Sequence, residues 1–235
     1  MRCSICNRLG HNRRSCNNPT SSVVHQTLDA QDTRDDAGLG AAHSTRPLPK
    51  PDAYDQEMVR RQYGIHRSYV QSRAESTQQM GVKVRLPSIP EDISENIVKF
   101  ILHHKLRDPT SRWDCGKGDL HSQIEGRQEC KCFTSDGPLS FTPTSEWDVI
   151  YFLDARDWLS DRLVLHRIRL KRTSDEWMRI QVSKTQTFAD QTLQGRRPRI
   201  NWNDLQKQVA PYCTEVYRGT FDEIFVPTPA PLVAS

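Results

Sequence analysis

The chain has 235 residues, room for one ordinary domain with an appendage, since a compact domain takes about 100 to 200 residues. A hydrophobic fraction of 35% and a mean hydropathy of -0.73 place part of the chain outside any packed core, and the net charge of +4 permits a polyanionic partner without indicating one. No apolar run of about 18 residues occurs, and the N-terminus MRCSICNRLG lacks the apolar segment of a secretory signal, so the expected setting is soluble, intracellular and reducing, with no membrane partner.

The first element is a metal motif. Cys3, Cys6, His11 and Cys16 follow the spacing C-x2-C-x4-H-x4-C, with Gly10 before the histidine. Three thiolates and one imidazole meet the tetrahedral preference of zinc, and short loops let such a segment fold around the ion almost without a core. Residues 1–18 resemble the CCHC zinc knuckle, which implies a structural Zn²⁺ and contact with nucleic acid or with another protein. Arg2, Arg8, Arg13 and Arg14 offer phosphate partners, whereas no Phe, Tyr or Trp lies between Cys3 and His11, so base stacking is not expected of it.

Residues 19–80 are rich in Ser, Thr, Gln, Asp, Arg and Ala and show no sustained apolar period, which reads as a flexible polar tether, partly helical after residue 56. From Leu86, LPSIPEDISENIVKFILHHKL carries Ile93, Ile97 and Ile101 at helical spacing behind an acidic first turn and predicts an amphipathic helix. GDLHSQI and QECKCF flank Glu125-Gly126-Arg127 and predict a β-hairpin turning there. DVIYFLDA, apolar without alternation, suits a central strand; RLVLHRIRL suits a strand with one solvated face; NWNDLQKQVA reads as a helix capped by Asn201. The order α, β, β, β, β, α over residues 81–235 gives an α/β core.

Within the hairpin stand Asp119, Glu129 and Lys131, a D-x9-E-x-K pattern. Phosphodiester hydrolysis uses these residue types: two carboxylates hold Mg²⁺, and a nearby lysine orients or deprotonates water and offsets developing charge. Strand alternation puts Glu129 and Lys131 on one face with Cys130 and Cys132 on the other, and the short turn returns Asp119 to the neighbouring strand. Taken alone the pattern is weak, because surface hairpins often carry Asp, Glu and Lys. A second zinc site from Cys115, Cys130 and Cys132 lacks a fourth ligand at suitable spacing, and a packing role is expected of these cysteines and of Cys213.

The helix before the hairpin and the apolar strand after it resemble the core of the PD-(D/E)XK nuclease superfamily, a mixed central sheet flanked by helices. That resemblance makes Glu95 a candidate fourth member of the site; a solvated helix carboxylate is the alternative. More narrowly, GDL, E-C-K, SDGP-SF-P and YFLDA, in this order, followed by KTQTFADQTLQGRRPRINW, resemble a family of type II restriction endonucleases over residues 86–225. The resemblance implies a site-specific, Mg²⁺-dependent cut in double-stranded DNA by a homodimer. The knuckle and tether lie outside it.

Two segments have the composition to hold DNA. The loop 134–144 offers Ser135, Asp136 and Ser140, and the segment 184–199 offers Lys184, Gln191, Arg196, Arg197 and Arg199 without an apolar period. For the arginines, phosphate contact is favoured over base readout, and a merely solvated loop is the alternative. A structure-selective repair or recombination nuclease, and a non-catalytic nucleic-acid-binding protein acting through its knuckle, are the other functional readings.

Overall fold

The structure is a computed structural model that describes residues 54–82, 85–113 and 119–226. The knuckle residues Cys3, Cys6, His11 and Cys16, the tether up to residue 53, and Cys115 lie outside the described residues. In chain order the elements are α1 (Gln56–Gln79), α2 (Glu91–His104), β1 (Arg112–Trp113), β2 (Leu120–Ser122), β3 (Gly126–Phe133), β4 (Leu139–Ser140), β5 (Val149–Asp154) and β6 (Leu163–Ile168). They continue with α3 (Asp175–Met178), β7 (Gln181–Ser183), β8 (Gln186–Thr187), α4 (Phe188–Leu193), β9 (Arg199–Ile200), α5 (Trp202–Gln208) and β10 (Cys213–Gly219).

A mixed six-stranded sheet, ordered β1-β2-β3-β5-β6-β10, organises the core. The β3–β5 pair is parallel and its neighbours are antiparallel. Strand β5 is apolar without alternation because both of its faces are covered. Val149, Tyr151 and Leu153 pack with Ile97, Ile101 and Val59 of the helices on one side, while Ile150 and Phe152 join an aromatic layer of Phe141, Trp147, Trp177, Phe188 and Trp202 on the other. Double coverage also removes the solvated face that the alternation of β6 predicts: His166 packs at a tilt against Trp202 with centroids 4.9 Å apart, and Arg167 reaches Glu125 at 3.2 Å. Strand β10, not foreseen from sequence, pairs with β6 through a register shift between Glu215 and Tyr217 that breaks its alternation. Among the described residues no helix is long and apolar enough to cross a membrane.

Residues 56–79, which by sequence read as part of a tether, form one continuous helix. Asp55 caps it by accepting from the Met58 amide at 2.8 Å, and Val59, Tyr63 and Val70 are buried in the helix-side core. Tyr63 stacks on Phe221 at 3.9 Å, so the packed unit takes in α1. Tyr63→Ala is therefore expected to cost about 3 kcal/mol of folding free energy, read from urea unfolding; a change within about 0.5 kcal/mol would mean that α1 is peripheral.

Candidate active site

The hairpin forms as β2 against β3, with Leu120 opposite Gln128 and Ser122 opposite Gly126. Its turn precedes the expected one, because Gly126 already opens β3 at a φ of +73°, where a Cβ would stand 2.5 Å from Asp148 Oδ2. Glu125 is the last residue of that turn, as read from sequence, and it is also a half-buried clamp. It accepts from Arg167 and Arg169 at 3.2 Å each and from the Tyr151 hydroxyl, fixing the hairpin to β5 and β6.

That clamp sets the position of the next strand end. Leu120 opens β2 opposite Gln128, and the carboxylate of Asp119 just before it continues the contact with β3, Oδ2 accepting from the Cys130 amide at 2.7 Å. Two residues apart on β3, Glu129 and Lys131 form an ion pair of 2.5 Å. The Glu129 side chain is 5% exposed and that of Lys131 22%. Cys130 packs in the helix-side core, on the other face of the strand. From that side α2 brings Glu95, whose Oε2 accepts from Trp113 Nε1 at 2.6 Å. Trp113 lies opposite Leu120 across β1–β2, so three neighbouring strands and one helix meet at a single place. All four predicted side chains line one cleft of about 940 Å³, together with Glu91, Asp92 and Glu146.

Crowded, half-dry carboxylates hold their protons tightly. Burial, then the negative charge of Asp119, pushes the Glu95 carboxyl up to about 7, against the opposing Trp113 hydrogen bond. Burial, then Glu129, pushes Asp119 up to about 6, against Lys131 and the Cys130 amide. For Lys131, burial disfavours the ammonium, but Glu129 and Asp119 outweigh it and the pKa ends above its ordinary value. The cleft therefore carries more negative charge than its lysine offsets, with hard oxygen donors, and this suits a divalent cation. Among the described residues no three His, Cys, Asp or Glu side chains are gathered tightly enough to hold an ion alone.

Raised acid pKa values make stability fall with pH. The ordinary values for these carboxyls are 4.5 and 3.8, so below about 4 both groups are protonated folded or unfolded and the stabilising effect is complete. It is lost as pH rises through about 6 and 7. The metal-free protein should thus melt lower at pH 8 than at pH 5, and Glu95→Gln should recover about 3 °C or more of that difference. Melting curves of both proteins in EDTA check it, and an unchanged pH dependence in the variant would contradict it.

The two segments predicted to hold DNA are joined. Leu139 and Ser140 pair with Ile200 and Arg199 through β4–β9, and the Phe141 amide donates to Pro198 O at 3.0 Å. Arg196, Arg197 and Arg199 are exposed, as are Ser135 and Lys184. Asp136 is engaged by Arg156 at 2.6 Å, and Gln191 donates to Gln186 at 3.2 Å. Trp113 escaped sequence reasoning: a two-residue strand has no period, and only its place before the G-D-L segment hinted at it.

Comparison with known proteins bears on this site. The family model for the Bsp6I restriction endonuclease matches residues 60–209, which run from within α1 through the whole cleft to the end of α5. The chain belongs to this family. Within it, the type II restriction enzyme Bsp6I of Bacillus sp. (strain RFL6) is 44% identical over 116 residues, 48% of this chain. The chain spans 62% of that relative's length. No solved structure matches the chain.

Proposed function

We propose that the chain is a Mg²⁺-dependent endonuclease that hydrolyses phosphodiester bonds at a specific site in double-stranded DNA, on a PD-(D/E)XK core. Family membership and the name of the relative support the reaction class. The observation that carries the residue assignment is the meeting of Asp119, Glu129, Lys131 and Glu95 in one cleft. Asp119 and Glu129 would hold Mg²⁺, which supplies positive charge at the scissile phosphate and acidifies the attacking water. Lys131, kept protonated by its carboxylate neighbours, donates hydrogen bonds that orient this water and offset charge on the phosphate. A base role for Lys131 would first require those carboxylate charges to be neutralised, so the orienting role is favoured. Glu95 is held at Oε2 by Trp113, and its second oxygen is the one available to take a proton in the cleft.

Arg196, Arg197 and Arg199 would contact phosphates, with the loop 134–144 beside them reaching toward base edges. A two-fold pair of such centres, one for each strand of the duplex, gives both cuts at one site, and the active species is read as a homodimer. The zinc reading of the knuckle rests on its spacing alone: Cys6→Ser is expected to lose the bound zinc, measured as metal per chain, and equal zinc in both proteins would contradict it.

The test incubates the protein with linear duplexes, plasmids and branched junctions in Mg²⁺ and maps the ends. Discrete fragments sharing one sequence at their ends support the proposal. A smear, cutting confined to junctions, or binding without cleavage would each replace it, with a nonspecific nuclease, a structure-selective nuclease or a non-catalytic binding protein respectively.

A further inference from the structure

Nine large apolar side chains are exposed among the described residues, and five of them, Met58, Ile65, Tyr69, Met80 and Val82, belong to α1 and the chain leaving it. A groove of about 320 Å³ opens on the same helix, lined by Tyr69, Ser72, Arg73, Ser76, Thr77 and Met80. Exposed apolar surface gathered on one element marks a contact face more often than chance scatter does.

The polar residues of that face indicate what covers it. Opposite the buried Val59, Tyr63 and Val70, the helical period turns Arg61, Gly64, Ile65, Ser68, Ser72 and Glu75 outward, and all six are exposed. Leaving out Ile65, their positions are symmetric about Ser68. Gly64 and Ser72 lie four residues to either side, Arg61 and Glu75 seven. A second α1 laid antiparallel, with a two-fold axis beside Ser68, sets Gly64 against Ser72 and Arg61 against Glu75, each contact occurring twice. Small residues then stand where the helices cross, where backbones approach most closely, and opposite charges stand toward the ends. The same two-fold axis brings the two Ile65–Tyr69 stripes to one side of the pair, Ile65 of one copy beside Tyr69 of the other, forming a continuous apolar seam. Gly64 is otherwise unexplained: glycine in mid-helix is destabilising, and a Cβ there would meet nothing within 4 Å inside the chain. An approaching helix gives it a purpose.

We infer that α1 is an isologous docking surface for the α1 of a second copy of this chain, centred on Ser68, with reciprocal Arg61–Glu75 ion pairs. This deepens the two-subunit reading given above and rests on it only for the need of two centres; the geometry of α1 stands without it. The partner is another copy, not an arbitrary apolar protein, because the face is complementary to itself in charge and in size.

Sedimentation of the full-length protein tests it without DNA or metal, so the result is independent of whether the chain cuts DNA. The wild type should show a monomer–dimer equilibrium with a Kd on the order of 1–10 μM, as befits a small, partly polar interface. Arg61→Glu should weaken it at least tenfold, Glu75→Arg likewise, and the double exchange should restore it, an outcome that a misfolded variant cannot give. Ser68→Cys should, on oxidation, give a dimer of two chains disulfide-linked through position 68 of each. A wild type that stays monomeric at 100 μM (~10 or more times the expected Kd) overturns the inference. A dimer indifferent to Arg61→Glu overturns the placement on α1 and leaves the two-subunit reading of cleavage standing. Cross-linking of position 68 to Cys3, Cys6 or Cys16 of its own chain would show that the N-terminal segment covers the face, and would overturn it as well.

Discussion

Replacing Lys131 by alanine is expected to lower the single-turnover rate of DNA cleavage by about 10²–10⁴-fold, the range for losing a positioned proton-handling or charge-offsetting group. Affinity for DNA should change little, because the ammonium is mostly covered and already paired with Glu129 at 2.5 Å. A second consequence has a definite sign. Lys131 lowers the Asp119 pKa against the effects of burial and of Glu129, so its removal lets Asp119 hold its proton to higher pH. The acid limb of the pH–rate profile should then move upward in Lys131→Ala. Lys131→Arg keeps the charge but replaces a compact ammonium by a planar fork, and should recover the position of the acid limb better than the rate. Rapid-quench cleavage between pH 5.5 and 9 reads both effects. A variant with wild-type rate would remove Lys131 from the chemistry, and a lowered rate with an unmoved acid limb would separate it from Asp119.

Replacing Arg196, Arg197 and Arg199 together by alanine should weaken DNA binding about 10²-fold near physiological salt and make log K less steep in log salt by about 2.7, at about 0.9 for each lost phosphate contact. The three arginines are exposed on one short stretch, and β9 ties that stretch to the loop leading from β3. Fluorescence anisotropy across a salt series with cognate and scrambled duplexes gives both numbers. Equal losses on the two duplexes with the shallower slope support phosphate contact. Loss confined to the cognate duplex with an unchanged slope would mean base readout by these side chains.

The parts of this molecule that could be read from sequence are those whose signal is local. Helix α2 announces itself through Ile93, Ile97 and Ile101, and β5 through an apolar run that only a strand covered on both faces needs. Hairpin and strand alternation were also enough to put Asp119, Glu129 and Lys131 near one another, since each rule acts within about a dozen residues. What escaped depends on distant partners. Helix α1 has only Val59, Tyr63 and Val70 buried in 24 residues, too sparse a period to separate from a tether without knowing that Trp158 and Phe221 wait for Tyr63. Strand β10 lost its alternation to a bulge, and β6 lost its solvated face to Trp202 and Glu125. At the site, Trp113 is visible only once β1 lies beside β2, and the engagement of Asp136 by Arg156 spans 20 residues that carry no shared pattern.

A metal-dependent, DNA-cutting centre formed by Asp119 and its neighbours is tested most directly by mapping both strands of an end-labelled duplex after three incubations: wild type in Mg²⁺, wild type in EDTA, and folded Asp119→Asn in Mg²⁺. A cut at one position on each strand is expected in the first reaction and none in the other two. Undiminished cutting by Asp119→Asn, or no cutting by wild type on any duplex in Mg²⁺, would contradict it.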